Sequence, residues 1–204
     1  MSDQQAKETE LNHPDPEKLS EAMAEIAERS QRLVADFLAK QAEDPEISDP
    51  DPLNIGSAFV ELTSQIMQNP TKLVEAQMDL WQQYYMLWHN TTLRMMGEES
   101  EPVASPLRGD RRFRDEAWEN NEVFDYIKQS YLLSSQWMQN LVHDVDGLDD
   151  KTAQKVEFYT RQFADAISPT NFLMTNPEVL RTTIESGGEN LLKGLQNLLG
   201  DLER

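Results

Sequence analysis

The stretch PTKLVEAQMDLWQQYYMLWHNTTLRMMG, residues 70–97, decides the fold class. It follows Asn69, and Asn-Pro suits a helix start. Asparagine is a good N-cap, and proline is tolerated at the first helical position, where its missing N–H would be unpaired anyway. Gly97 is a natural stop. Between these signals apolar residues recur at helical spacing in two adjacent lines. Leu73, Leu80, Tyr84 and Leu87 form one; Val74, Met78, Trp81, Tyr85 and Trp88 form the other. The spacing predicts a helix over 70–96, roughly 40 Å long by helical rise. A stripe this wide either meets two neighbours or leaves an aromatic surface exposed. Trp81, Tyr85 and Trp88 therefore have two readings, bundle core and interaction surface.

Outward from this helix the same periodicity continues. Leu19, Met23, Ile26, Ser30, Leu33 and Phe37 give a heptad-like seam on a helix over about 17–42. Ile55, Phe59, Leu62 and Ile66 share one face of a helix over about 54–68. Helices are expected at about 120–143 and 150–167, the second capped by Asp149 or Asp150. Ser168-Pro169 and Asn176-Pro177 repeat the cap-then-proline signal and predict two short helices. Gly187-Gly188 breaks the chain. A last amphipathic helix carries Leu191, Leu192, Leu195, Leu198, Leu199 and Leu202. No segment alternates as a strand would. The fold class is all-α, an irregular helical bundle with a flexible acidic N-terminal arm.

Charge divides the chain. Residues 1–52 carry 14 acids and 5 bases, a net −9, and the other 152 residues carry 23 acids and 13 bases, a net −10. The denser charge and the prolines at 45, 50 and 52 set off residues 1–52 as an arm with one amphipathic helix and a Pro-rich linker. Residues 53–204 form the helical domain. The total of −19 repels phosphate backbones and anionic lipids, so nucleic acid is not an expected partner. No apolar run approaches the roughly 18 residues of a spanning helix. The N-terminus has no basic segment leading into an apolar one, so no secretory signal is expected and the location is read as cytoplasmic.

The chemistry-bearing residues are sparse. There is no cysteine, hence no thiolate nucleophile and no cysteine-ligated metal. No Gly-x-Ser-x-Gly or Gly-x-Cys-x-Gly elbow is present, and no phosphate-binding glycine loop. His13, His89 and His143 lack the Glu-x-x-His pattern of helical metal sites. No catalytic residue, metal or cofactor is expected. A second linker, 98–117, holds the one basic cluster, Arg108, Arg111, Arg112 and Arg114. It either salt-bridges to this acidic protein or docks a partner. With Trp81, Tyr85 and Trp88, these arginines make the candidate interaction surface.

Three stretches occur in a specific order. Gly109-Asp110-Arg111-Arg112-Phe113-Arg114-Asp115-Glu116-Ala117-Trp118 comes first, followed by Asn121, Phe124 and Gln129-Ser130-Tyr131-Leu132-Leu133. Arg161-Gln162-Phe163-Ala164-Asp165-Ala166-Ile167-Ser168-Pro169-Thr170-Asn171-Phe172 is second. Thr175-Asn176-Pro177-Glu178-Val179-Leu180, leading to Gly187-Gly188-Glu189-Asn190-Leu191, is third. Together they resemble the N-terminal helical domain of class I polyhydroxyalkanoate synthases. Physically, the first stretch would dock the linker by an arginine–acid network and a buried Phe113/Trp118 pair.

The resemblance implies a longer parent in which a C-terminal α/β-hydrolase-like domain uses cysteine, histidine and aspartate to polymerise 3-hydroxyacyl-coenzyme A. None of those catalytic residues carries over. What it implies for this chain is a non-catalytic domain that supports dimerisation, catalytic-domain stability and association with polymer granules. The implied partners are the synthase catalytic domain, a second copy, and a granule-coating protein or the granule surface. A free-standing partner subunit and an unrelated acidic adaptor are the competing readings.

Overall fold

The structure, a computed structural model, describes residues 16–43, 51 and 53–202. The expected flexible arm at 1–16 and the Pro-rich linker at 43–52 lie almost wholly outside the described residues. All regular structure among the described residues is helical: α1 (Pro16–Glu43), α2 (Ile55–Gln68), α3 (Pro70–Met95), α4 (Ala117–Asn120), α5 (Glu122–His143), α6 (Asp150–Ala166), α7 (Pro177–Glu185) and α8 (Glu189–Leu202). A single 3₁₀ turn spans Pro169–Asn171.

The chain divides into two compact units. One comprises Met1–Asp49 with Val179–Arg204, and the other Pro50–Glu178. By contacts, Val179–Arg204 groups with the N-terminal segment. The physical reason is that α8 packs on α1. Of the α1 seam, Ile26, Ser30 and Leu33 are half-buried, and in α8 Leu199 is buried. Gln196 reaches Glu25 across the pair at 3.4 Å. Each helix alone is amphipathic and needs such a neighbour.

In the unit Pro50–Glu178, α5 is the central helix, packing against α3, α4, α6 and the 3₁₀ turn. One apolar cluster joins Ala58 and Leu62 of α2 to Val142 of α5 and Val156 of α6, with Phe59, Ile66, Val145 and Leu148 against it. A second joins Phe113, Trp118 and Tyr131, with Phe124, Ile127 and Leu132 around them. Phe113 and Trp118 meet edge to face with centroids 5.0 Å apart, a favourable arrangement of ring quadrupoles. The 98–117 segment is therefore docked, as the pairing of these two residues implies.

Helix ends follow local chemistry. Asp149 caps α6, its carboxylate accepting from the N–H groups of Lys151 and Thr152. Asn121 caps α5 in the same way, accepting from Val123 and Phe124, and Asn176 accepts from the N–H of Glu178. Gly97 ends α3 at φ 87°, with its N–H on Arg94 O and the N–H of Glu98 on Leu93 O, the paired bonds of a glycine C-cap. Two expectations are corrected. Asn69 holds the N-cap position of α3 but makes no side-chain capping bond. Ser168-Pro169 starts one 3₁₀ turn rather than a helix, and the Ser168 hydroxyl pairs with that of Thr170 at 2.8 Å. The short helix α4 has no counterpart in the sequence reading. Its four residues carry too little periodicity to announce it, and tertiary burial of Trp118 holds it.

A buried polar network ties these parts to α5. The Asp125 carboxylate pairs with Lys128 at 2.9 Å and accepts from Arg94 and from the Gln129 amide at 2.6 Å. Lys128 also donates to Trp118 O at 2.8 Å, and Arg94 to Glu119 O. Gln129 Oε1 accepts from the N–H groups of Val103 and Ala104.

Three stability measurements check this architecture. Trp118, 1% exposed, should lose about 3–5 kcal/mol on Trp118→Ala. Under dilute conditions Trp81→Ala, at a 70% exposed position, should stay within about 0.5 kcal/mol of the parent in chemical denaturation. Equal losses would refute the assignment of these two rings to interior and surface. In the same assay Asp125→Ala should cost about 3–5 kcal/mol, because buried Lys128 and half-buried Arg94 lose their counter-ion.

Candidate functional site: an aromatic face and an arginine-bearing loop

The two apolar lines of α3 have different fates. Leu87 is fully buried and Leu73, Leu80 and Tyr84 are half-buried toward α5, where the Tyr84 hydroxyl donates to Ser130 O at 3.1 Å. Val74, Met78, Trp81, Tyr85 and Trp88 are each more than half exposed. The bundle-core reading of Trp81, Tyr85 and Trp88 is thereby corrected. The two lines are offset by one residue, or 100° around the helix, and α5 covers only one of them. Tyr85 and Trp88 lie tilted against each other with centroids 6.3 Å apart. Leu80, Trp81, Tyr84, Tyr85 and Trp88 line an open groove of about 510 Å³ with Tyr126 of α5 on its far wall. Its walls are apolar apart from Gln77 and the tyrosine hydroxyls.

A larger groove of about 910 Å³ lies between α2, α3 and the end of α5. Several of its polar side chains are engaged internally. Lys72 donates to Asp146 at 2.8 Å, which raises the Lys72 pKa and lowers that of Asp146. The Trp137 indole donates to Ala76 O at 3.1 Å. Gln65 donates to Gly147 O, and a Cβ at Gly147 would stand 2.9 Å from Gln65 Oε1. His143, at the rim, contacts Glu157 at 2.9 Å, and this hydrogen bond raises its pKa.

The four arginines separate into two roles. Arg112 is built into the fold. It pairs with Asp110 at 2.8 Å and with Asp165 of α6 at 2.8 Å, and donates to the Tyr131 hydroxyl at 2.9 Å. Its guanidinium also lies over the Phe113 and Tyr131 rings. These bonds push its pKa further up and hold the Asp110 carboxyl below its ordinary value. The salt-bridging reading of the cluster thus applies to Arg112. Arg108, Arg111 and Arg114 are exposed, and no ion pair to them is found among the described residues. The structure therefore does not bring all seven candidate residues into one site. It presents an aromatic face on α3 and, separately, a loop with three exposed guanidinium groups.

The network of Asp125, Lys128 and Gln129 is absent from the sequence reading. Its signal is three polar residues spaced i, i+3 and i+4 on α5. That pattern also describes a solvated face, and only Arg94 and the docked 103–104 backbone distinguish the two.

This is an all-helical domain with a docked linker and an exposed aromatic groove. Residues 109–204 match the family described as poly-beta-hydroxybutyrate polymerase (PhaC) N-terminus. A poly(3-hydroxyalkanoate) polymerase of Methylorubrum extorquens is 47% identical over 137 residues, 67% of this chain and 23% of that protein. The PhaC subunit of Rhizobium meliloti (strain 1021) is 39% identical over 190 residues, 92% of this chain and 31% of its own length. That of Cupriavidus necator is 40% identical over 133 residues, 65% of this chain and 22% of its own length. The chain thus spans between about a fifth and a third of these relatives. No solved structure matches it.

The Asp110–Arg112 pair gives a pH-dependent prediction. Asp110 has its folded pKa depressed, so its stabilisation is present above the unfolded value near 3.8 and is lost as pH falls through the lower folded value. Asp110→Asn should cost about 1–2 kcal/mol at pH 7, discounted for the partly exposed Arg112. The gap between variant and parent should close below the ordinary carboxylate range. A gap that persists unchanged at acid pH would refute this assignment.

Proposed function

We propose that this chain is the non-catalytic helical domain of a polyhydroxyalkanoate polymerase. It acts by docking, supporting the catalytic portion, its dimerisation and its association with polymer granules in the cytoplasm. The observation that carries the reading is the family match over residues 109–204 in a sequence with no cysteine and no nucleophile elbow. Such a chain offers surfaces rather than chemistry. The exposed guanidinium groups of Arg108, Arg111 and Arg114 suit carboxylates on a partner, since arginine forms paired, charge-assisted bonds with them. No helix among the described residues is long and apolar enough to cross a membrane. The polymerising activity of the relatives belongs, on this reading, to the part of the protein beyond this segment.

The test measures polymerisation rate for the catalytic portion of a relative with and without this chain in trans. This chain alone should release no coenzyme A from 3-hydroxyacyl-coenzyme A. Added to the catalytic portion, it should raise the rate. The Arg108→Glu/Arg111→Glu/Arg114→Glu variant should weaken that gain, leaving helical content unchanged. Coenzyme A release by the chain alone, or no change in rate at saturation, would overturn the proposal.

A further inference from the structure

The groove between α3 and α5 is walled by rings. Of its seven lining residues five are aromatic, Trp81, Tyr84, Tyr85, Trp88 and Tyr126, in a chain whose aromatic share is 8%. A cavity that only shelters hydrocarbon is lined equally well by aliphatic residues, as the cluster of Ala58, Leu62, Val142 and Val156 is. What rings add is a quadrupole, whose negative face attracts a cation. The fold uses this attraction once already. The Arg112 guanidinium carbon lies 5.7 Å from the Phe113 centroid and 5.5 Å from that of Tyr131. Among the described residues no lysine or arginine covers the rings of the groove.

The lining also selects the kind of cation. A primary ammonium or a guanidinium carries N–H donors, and each needs an acceptor once water leaves. No carboxylate lines the groove. From Leu80 to Leu93 α3 has no aspartate, glutamate, lysine or arginine. The Tyr84 hydroxyl is already bonded to Ser130 O and to the Ser134 hydroxyl. A quaternary ammonium has no N–H. Its charge is spread over methyl groups, so it enters without an unmet donor and meets ring faces through those methyls.

The field of the whole protein acts in the same sense. A net charge of −19 draws cations toward the surface. The same field, with no lysine or arginine in the lining, disfavours a ligand that carries its own carboxylate or phosphate. An uncharged hydroxyl tail can bond to the amide of Gln77, the one side-chain amide of the lining. We propose that this groove binds a soluble quaternary ammonium alcohol, of which choline is the simplest. Its volume of about 510 Å³ falls within the roughly 300–1,000 Å³ of small-molecule sites.

This inference does not rest on stimulation of a catalytic portion. The chain has four tryptophans, so its indole N–H resonances read the site directly. Choline chloride, against matched sodium chloride, should shift the resonances of Trp81 and Trp88 with half-saturation near about 1 mM. Those of buried Trp118 and of Trp137, whose indole donates to Ala76 O, should stay in place. Dimethylbutanol with a tert-butyl group in place of the trimethylammonium keeps the shape and removes the charge. It should bind at least about tenfold more weakly. Betaine and phosphatidylcholine vesicles set an anion beside the same cation, and each should also be at least about tenfold weaker. Trp81→Leu/Trp88→Leu keeps apolar side chains and removes two ring faces. With helical content unchanged, its calorimetric affinity for choline should fall at least about tenfold. Absence of a shift at Trp81 and Trp88 up to about 10 mM would overturn the inference. So would equal binding of the dimethylbutanol, betaine or the vesicles, or undiminished binding by the double variant. Choline binding without stimulation of polymerisation defeats the proposed function alone. Stimulation without choline binding defeats this inference alone.

Discussion

The Asp125 carboxylate is the constraint on which the unit Pro50–Glu178 depends. It sits inside α5 with Lys128 one turn on, and both are almost fully enclosed. A buried charge without a partner is far costlier than a missing apolar contact. Each cation here therefore fixes the segment that carries it. Arg94 holds the end of α3 and the carbonyl of Glu119. Lys128 holds the carbonyl of Trp118, and Gln129 takes the N–H groups of Val103 and Ala104. Three separate stretches of chain are registered against one helix by groups that apolar packing alone would let slide.

The arginine-bearing loop repeats this logic nearer the surface. Arg112 is held between Asp110 and Asp165 and lies over two rings of the second apolar cluster. It anchors the loop, so Arg108, Arg111 and Arg114 are displayed from a fixed base. In sequence the four look alike. What separates them is which one has a carboxylate on α6 within reach, and Asp165 stands 53 positions after Arg112. Local pattern cannot register such a pair. The rings beside it were legible, because Phe113 and Trp118 are large apolar residues in an otherwise polar linker and have little reason to be there unless they are buried.

The helices themselves were legible for a related reason. Periodicity and caps are local, so α2, α3, α5 and α6 could be read within a residue or two from proline, asparagine, aspartate and glycine punctuation. Which helix covers which face is not local. The grouping of Val179–Arg204 with the N-terminal segment depends on α8 finding α1, far away in sequence. Both helices are amphipathic, and amphipathicity states only that a neighbour is needed.

On α3 this difference bears on the proposed role. Leu73, Leu80 and Leu87 stand at seven-residue intervals, and Val74, Trp81 and Trp88 repeat them one residue later. One neighbouring helix covers little more than a third of a helix circumference, so α5 cannot enclose both lines. It takes the leucines. The larger rings are left outside, where exposed apolar area of this extent is a solubility burden for a chain that stays alone. The acids elsewhere offset that burden, yet none lies between Leu80 and Leu93 to break the stripe. A surface that served only solubility would carry charge in that interval. Its absence from the most aromatic part of an acidic protein is the physical ground for reading α3 as a contact helix whose second neighbour comes from outside the folded unit.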